Sequence, residues 1–350
     1  MTDLASILKQ HAERYPAMEP QDGVKLLYQS TFGGGHIVKN EEMAISRLES
    51  ERATVEMKDR PLLESIGDHI RIYLDSLEGE GLSDHLLGRL FCLSARRTVG
   101  DKETFIKRLD LLRRLTAQGV FGFSSGELEA YLSEYAASGY PMVSHSEAYR
   151  AAYRPTYRVL DPACARIVPV LLAIEKGLKS DKKPLILRID GRCAGGKTTT
   201  AALLAELYPK AGVIHMDDFF LPPALRTPER FAEAGGNIHY ERFKEEVSDQ
   251  IGTGAFAYRR FDCSRMDYGE WIEVPESDLY IVEGSYSGNP KIGLSADIRV
   301  FCQVDPVTQL YRIVARDGEE YRESFEKRWI PLEEAYFAAC RVMEESDLVI

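Results

Sequence analysis

The sequence predicts an α/β protein in which a parallel sheet with flanking helices is preceded by a mostly α-helical N-terminal domain. Three observations predict it. Beyond residue 180 short apolar runs alternate with helical stretches, and a glycine-rich turn joins the first run to the helix that follows it. From Asp3 to about Gly119, apolar residues recur mainly at three- and four-residue spacing. A chain of 350 residues suits two domains at about 150 residues each, and 44% apolar composition supports ordinary cores.

In the first half the spacing predicts helices over 43–57, 62–77, 86–97, 104–118 and 126–137, then turn signals at 138–141 and a helix from about 163 to 178. The polar stretch 179–184 follows. The pattern changes there, which places a boundary near residue 180 and domains at 1–180 and 181–350. In the second half 185–190, 213–216, 279–282, 298–304 and 348–350 are short apolar runs of the kind that form strands covered on both faces. Helical patterns over 198–207, 240–251, 306–316 and 332–345 separate most of them, as right-handed crossovers of a parallel sheet require.

The chain carries 44 basic and 55 acidic residues, a net charge of −11. Residues 1–180 hold 23 against 25, and residues 181–350 hold 21 against 30, so nucleic acid is not the expected partner. The opening MTDLASILKQ is too polar for a secretory segment, and no run approaches the length of a membrane span; a cytosolic protein without a membrane partner is expected. Six scattered cysteines without metal-ligand spacing predict buried free thiols, with neither disulfides nor a structural metal. A homo-oligomer remains compatible with all of this.

Gly191-Arg192-Cys193-Ala194-Gly195-Gly196-Lys197-Thr198 fits G-x-x-x-x-G-K-[ST], the phosphate-binding P-loop, and lies between a predicted strand and a predicted helix. Its glycines let backbone N–H groups converge on phosphate oxygens, and the helix start, including Thr199, adds partial positive charge. Lys197 is placed for the β- and γ-phosphates of ATP, and the Thr198 hydroxyl for Mg²⁺. Asp217 and Asp218 follow the second predicted strand, at the sheet edge where ligands collect. One of them can accept a proton from a hydroxyl or hold a water of the Mg²⁺ shell; a helix cap is the structural alternative. Glu283 ends the third predicted strand, where a second acidic residue near Mg²⁺ belongs.

Through the P-loop, Asp217-Asp218-Phe219-Phe220, Val282-Glu283-Gly284 and an arginine-bearing helix after Val304-Asp305, the region from about 184 to 350 resembles the uridine kinase, phosphoribulokinase and pantothenate kinase group of small-molecule kinases. That resemblance implies that Asp217 is the base for the acceptor hydroxyl and that Arg312 and Arg316 belong to a lid over the transferring phosphate. The two arginines share a helix face at i,i+4, as screening of developing charge requires. Asn237-Ile238-His239-Tyr240 resembles the group's acceptor segment, and Phe261-Asp262-Cys263-Ser264-Arg265 its Y-D-F...R stretch, on a hairpin with 271–274. No histidine precedes Arg265, where that group carries a pyrimidine-contacting one.

Two features of the first half stand apart. Phe32-Gly33-Gly34-Gly35-His36 suits either a close backbone approach to an anion or a flexible interhelical turn. Tyr149-Arg150, Tyr153-Arg154 and Tyr157-Arg158 recur every four residues; Pro155 divides them into a helix ending near Tyr153 and an extended run. Arginines interleaved with aromatics suit a phosphate-bearing ligand or single-stranded nucleic acid.

The expectation is therefore an ATP- and Mg²⁺-dependent phosphotransferase acting on a hydroxyl of a small metabolite, a nucleoside or similar polyol. Its residues are Lys197, Asp217, Arg312 and Arg316 for transfer, 191–199 for nucleotide, Thr198, Glu283 and Asp217 for metal, and Asp218, His239, Tyr240, Phe261, Asp262 and Arg265 for the acceptor. The alternative is a nucleotide-sensing regulator whose helical domain binds a protein or RNA.

Overall fold

In a computed structural model, residues 3–35, 40–77, 81–97 and 99–350 are described. Two units partition the chain, Met1–Arg166 and Ile167–Ile350. In the first, α1 (Leu4–Arg14), α2 (Pro20–Phe32), α3 (Glu41–Arg52), α4 (Asp84–Arg97), α5 (Lys102–Ala117), α6 (Ser125–Ala137), α7 (Glu147–Tyr153) and α8 (Pro162–Arg166) accompany strands β1 (Leu63–Ser65), β2 (Ile70–Tyr73) and β3 (Tyr157–Leu160). Local signals start the helices: Asn40 caps α3, Asp101 caps α5, and Ser124 with Glu127 forms a capping box on α6. Leu8, Leu27, Phe105, Leu112 and Leu128 are fully enclosed in one core.

The helix expected over 62–77 does not form. That segment makes β1, β2 and a short 3₁₀ turn, and β1-β2-β3 is an antiparallel sheet. Gly67, at φ 104°, turns the chain between β1 and β2, and the Ile66 N–H donates to the His69 carbonyl at 2.9 Å. Leucines and isoleucines at helix-like spacing are thus divided between two strands and a turn. The predicted break at Pro155 is present, with Arg154 in the left-handed region at the end of α7. Cys92, Cys164 and Cys302 are buried and all six cysteines are free, but Cys263, expected inside, is exposed. His36 lies outside the described residues.

The second unit comprises α9 (Val168–Leu178), β4 (Leu185–Gly191), α10 (Lys197–Leu207), β5 (Gly212–His215), α11 (Pro228–Ala232), α12 (Tyr240–Phe243), β6 (Phe256–Asp262), β7 (Asp267–Val274), β8 (Leu279–Glu283), β9 (Ile298–Cys302), α13 (Pro306–Asp317), α14 (Arg322–Ser324), α15 (Ile330–Cys340) and β10 (Leu348–Val349). Five strands form one parallel sheet in the order β10-β9-β4-β8-β5, and β6 pairs with β7 as a hairpin. The unit begins at Ile167, ahead of the boundary expected near 180, because α9 packs on β4 and β9 and buries Val170, Leu171 and Ile174. The helix expected over 240–251 is α12 continued by a π-helical turn over Lys244–Ser248. Among the described residues no helix is long and apolar enough to cross a membrane.

A buried polar network ties the first unit together. Asp22, 1% exposed, accepts hydrogen bonds from the Ser146 N–H and hydroxyl and from His145 Nδ1 at 2.7 Å. His145 Nε2 stands 2.6 Å from the Tyr157 hydroxyl, and the Tyr149 ring stacks on the imidazole at 4.1 Å. Arg71, 1% exposed, donates to Gln29 and lies over the Tyr157 ring. Burial outweighs the Asp22 hydrogen bond and lowers the His145 pKa to about 4 from 6.5. The imidazole is then neutral at pH 7, so Nδ1–H donates to Asp22 and Nε2 accepts from Tyr157.

Above pH 6.5 folded and unfolded chains both carry a neutral His145. As pH falls towards 4, only the unfolded chain takes up the proton, so stability is lost, by about 3 kcal/mol at most. Urea titrations at pH 7 and pH 4.5 are expected to show this loss in the wild-type chain and a smaller one in His145→Asn. Equal losses in the two would remove His145 as the cause.

Candidate active site

Parallel register builds this site. Ile189 on β4 pairs with Glu283 on β8, and Glu283 pairs with His215 on β5, so the C-terminal ends of three strands lie level. The P-loop follows β4, and Asp217 follows β5 with only Met216 between them. This is the edge at which ligands of open α/β sheets bind. Gly191 has φ 137°, and a Cβ there would come within 2.3 Å of the Cys302 carbonyl oxygen on β9; no other residue fits without moving that strand. Ala194 is held at φ 55°, a left-handed conformation that costs a non-glycine residue about 1–3 kcal/mol and clusters at functional loops.

Lys197 is nearly buried, and its Nζ donates to the carbonyls of Gly191 at 2.7 Å and Arg192 at 3.0 Å. The ammonium therefore sits within the loop, beside first-turn N–H groups for which α10 has no intrahelical acceptors. The Thr198 hydroxyl lies 3.4 Å from both Glu283 carboxylate oxygens, and His215 Nδ1 lies 2.6 Å from Glu283 Oε1. The Glu283 hydrogen bond raises the His215 pKa. A hydroxyl beside a carboxylate is a hard-oxygen donor set that suits Mg²⁺, which commonly takes its other ligands from phosphates and water. Among the described residues no group of three or more His, Cys, Asp and Glu side chains could hold a metal ion between them.

Asp217 is reached by solvent at this edge, yet desolvation by the protein around it, followed by the charge of Glu283, raises its pKa above the usual aspartate range. Lys197 opposes that shift, which places the three charges in mutual reach. On α13, Arg312 Nη1 donates to the Ala194 carbonyl at 3.1 Å. Arg316 pairs with Asp317 and lies within electrostatic range of Cys193 and Asp217.

Several residues of the site carried no signal in the linear pattern. Glu333 on α15 is 5% exposed; it accepts the Cys193 N–H at 2.9 Å and the Ser285 hydroxyl. Its neighbour Glu334 takes Arg192 through two guanidinium nitrogens, at 2.6 and 3.1 Å. Asp190, fully buried, accepts from the N–H groups of Gly191 and Gly288 and from the Tyr336 hydroxyl. Cys193 is not a reactive thiol, because burial and the Glu333 charge push its pKa up to about 12. A buried carboxylate 140 positions from the loop cannot be matched to it by spacing.

The acceptor candidates are placed differently from one another. Asp218 is buried and accepts from the Tyr258 hydroxyl at 2.8 Å, with Arg260 at 3.3 Å. His239 caps α12 by accepting the Arg242 N–H, and Tyr240 donates to Glu233 beneath the Arg230 guanidinium. Phe261 is buried against Tyr268, and Asp262 accepts the Ser264 N–H and hydroxyl within the hairpin turn. These five side chains are engaged in holding the fold. Arg265 and Cys263 are exposed on that turn, and Cys263 feels the charges of Asp217, Arg226 and Arg260.

No protein-family model matches the chain. It is 24% identical over 166 residues to uridine-cytidine kinase C of Dictyostelium discoideum, an alignment covering 43% of this chain and 34% of that protein. It is 34% identical over 122 residues to the pantothenate kinase of Ligilactobacillus salivarius, covering 31% and 39%. The chain thus spans well under half the length of these curated relatives. A solved structure of a possible uridine kinase from Bacillus stearothermophilus aligns with a TM-score of 0.42 at 19% identity, over 53% of this chain and 97% of that one. The chain resembles the uridine kinase and pantothenate kinase group of P-loop kinases.

Proposed function

We propose that the second unit is an ATP- and Mg²⁺-dependent kinase that transfers the γ-phosphoryl group to a hydroxyl of a small metabolite, a nucleoside or similar polyol. The observation that carries this reading is the convergence of Lys197, Thr198, Glu283 and Asp217 on one edge of one sheet, around the start of α10. The names of the aligned relatives support it.

In this reading the Lys197 ammonium exchanges its two loop carbonyls for β- and γ-phosphate oxygens, and the first-turn N–H groups of α10 receive the rest of the phosphate chain. Thr198 and Glu283 would hold Mg²⁺, with His215 orienting the carboxylate. Bound Mg²⁺ neutralises charge that develops on the transferred group. Asp217 orients the acceptor hydroxyl and takes its proton, and its raised pKa makes it a better acceptor than an ordinary aspartate. Arg312 and Arg316 lie one turn apart on α13 and screen negative charge at the loop. Arg265, exposed on the hairpin turn, is left as the acceptor contact. Glu333 and Glu334 position the P-loop by holding Cys193 and Arg192 from α15.

Three outcomes follow for the purified chain, assayed for acceptor-stimulated ATP consumption over nucleosides, sugars and vitamin precursors. Asp217→Asn is expected to lower kcat by about 10²-fold or more while ATP affinity measured by calorimetry stays within a few-fold; full turnover refutes the base assignment. Lys197→Ala should weaken ATP binding and turnover together. Glu333→Ala removes a charge-assisted hydrogen bond from the loop and should raise the KM for ATP by about tenfold with a smaller change in kcat. An unchanged KM would show that the loop keeps its shape without α15. Nucleotide-dependent capture of a protein or RNA, with no acceptor stimulating ATP consumption, would instead favour the regulator.

A further inference from the structure

We propose that the N-terminal unit holds a binding site for a small phosphate monoester, in a cavity of about 460 Å³ walled by α2, α3, α4 and the segment entering β3. The volume lies in the usual range of small-molecule sites, about 300–1,000 Å³. The site is independent of the P-loop.

Two sequence features without a role in phosphoryl transfer meet in this cavity. Gly34, in the glycine triplet, lines it; a Cβ there would fall 2.7 Å from the Phe91 ring and 3.3 Å from the Val159 carbonyl, two other parts of the wall. Only glycine lets the chain pass so close. From the tyrosine–arginine repeat, Arg154, Tyr157 and Arg158 line it too, with the Tyr157 ring carried on the buried network of His145, Gln29 and Arg71.

The lining is cationic on balance, with five basic side chains against Glu51, Glu56 and Asp75. The surplus can be located. Arg47 and Arg158 share one carboxylate, Glu51, at 3.0 and 2.8 Å. The hydrogen bond of the Lys25 ammonium goes to the Val143 carbonyl at 2.9 Å, not to a carboxylate. Burial and the nearby Arg71 charge lower the Lys25 pKa to about 8, so an anion beside it would be welcome. A surplus of two positive charges matches a phosphate monoester dianion better than a carboxylate.

Asp75, which lines the cavity and is fully buried, takes Arg60 and Lys58 on Oδ2, so its charge is already met and does not oppose an anion. The chemistry asked for is a phosphate monoester on a small body, which an extended nucleic-acid strand is not.

The test is calorimetry on the full chain, with a non-hydrolysable ATP analogue and Mg²⁺ present to fill the P-loop. Ribose 5-phosphate, glucose 6-phosphate and glycerol 3-phosphate are titrated beside ribose, glucose and inorganic phosphate. At least one ester is expected to bind at one site per chain, at least tenfold more tightly than its parent sugar or inorganic phosphate. Lys25→Met and Arg158→Gln should each weaken that binding at least tenfold, and Asp217→Asn should leave it unchanged. Should Arg158→Gln fail to fold, Lys25→Met decides alone, since its stem still packs. Binding by none of the three esters, or binding indifferent to Lys25→Met, or binding abolished by Asp217→Asn, would overturn the assignment. The last outcome would place the ester in the acceptor site of the kinase.

Discussion

At the C-terminal edge of the sheet, Ile189, Glu283 and His215 stand in register on three neighbouring parallel strands. The functional reading of the second unit depends on that alignment. Parallel strands joined by crossovers all leave the sheet at the same edge, and here the register brings three of those ends level. The P-loop leaves from β4, Glu283 terminates β8, and Asp217 follows β5. A shift of one residue between β4 and β8 would turn Glu283 to the other face of the sheet and separate it from Thr198.

Buried carboxylates hold this edge in shape. Asp190 and Glu333 are both nearly inaccessible, and such groups persist only when hydrogen bonds satisfy them. Asp190 joins the base of the P-loop to the 284–288 turn and to Tyr336 on α15. Glu333, one turn earlier on the same helix, reaches the loop itself at Cys193. The left-handed conformation of Ala194 is kept inside this frame, with its carbonyl taken by Arg312 from α13. Loop, turn and two helices thus share one set of hydrogen bonds, and a conformation that would be unfavourable alone is maintained by its neighbours.

The first unit solves a related problem with different parts. Its helices bury Asp22, His145 and Arg71 among tyrosines, so that one continuous network replaces several isolated charges. That network carries Tyr157 and positions the strand from which Arg158 reaches the cavity wall. At the cavity wall Arg158 shares the Glu51 carboxylate with Arg47, and the Lys25 ammonium hydrogen-bonds a carbonyl instead.

Much of the second unit was legible along the chain, because strand, glycine turn and helix at 185–207 are determined by residues close in sequence. The P-loop needs glycine where backbone must approach backbone, and the lysine and threonine stand at the helix start by spacing alone. The segment 62–77 has helix-like spacing yet forms a hairpin, because a turn at Gly67 divides its apolar residues among two strands and the flanking turns without altering that spacing. Asp218, His239, Tyr240, Phe261 and Asp262 have the residue types of a binding segment, and in the structure they also meet Tyr258, Arg242, Glu233, Tyr268 and Ser264, of which only Tyr258 is far from its partner in sequence. What the chain determined by itself is local: where phosphate-directed groups lie relative to one helix terminus. Tertiary structure alone decided that Glu333 and His215 join them and that Lys25 faces Arg158 across a cavity, since meetings between residues far apart in sequence follow from register and packing.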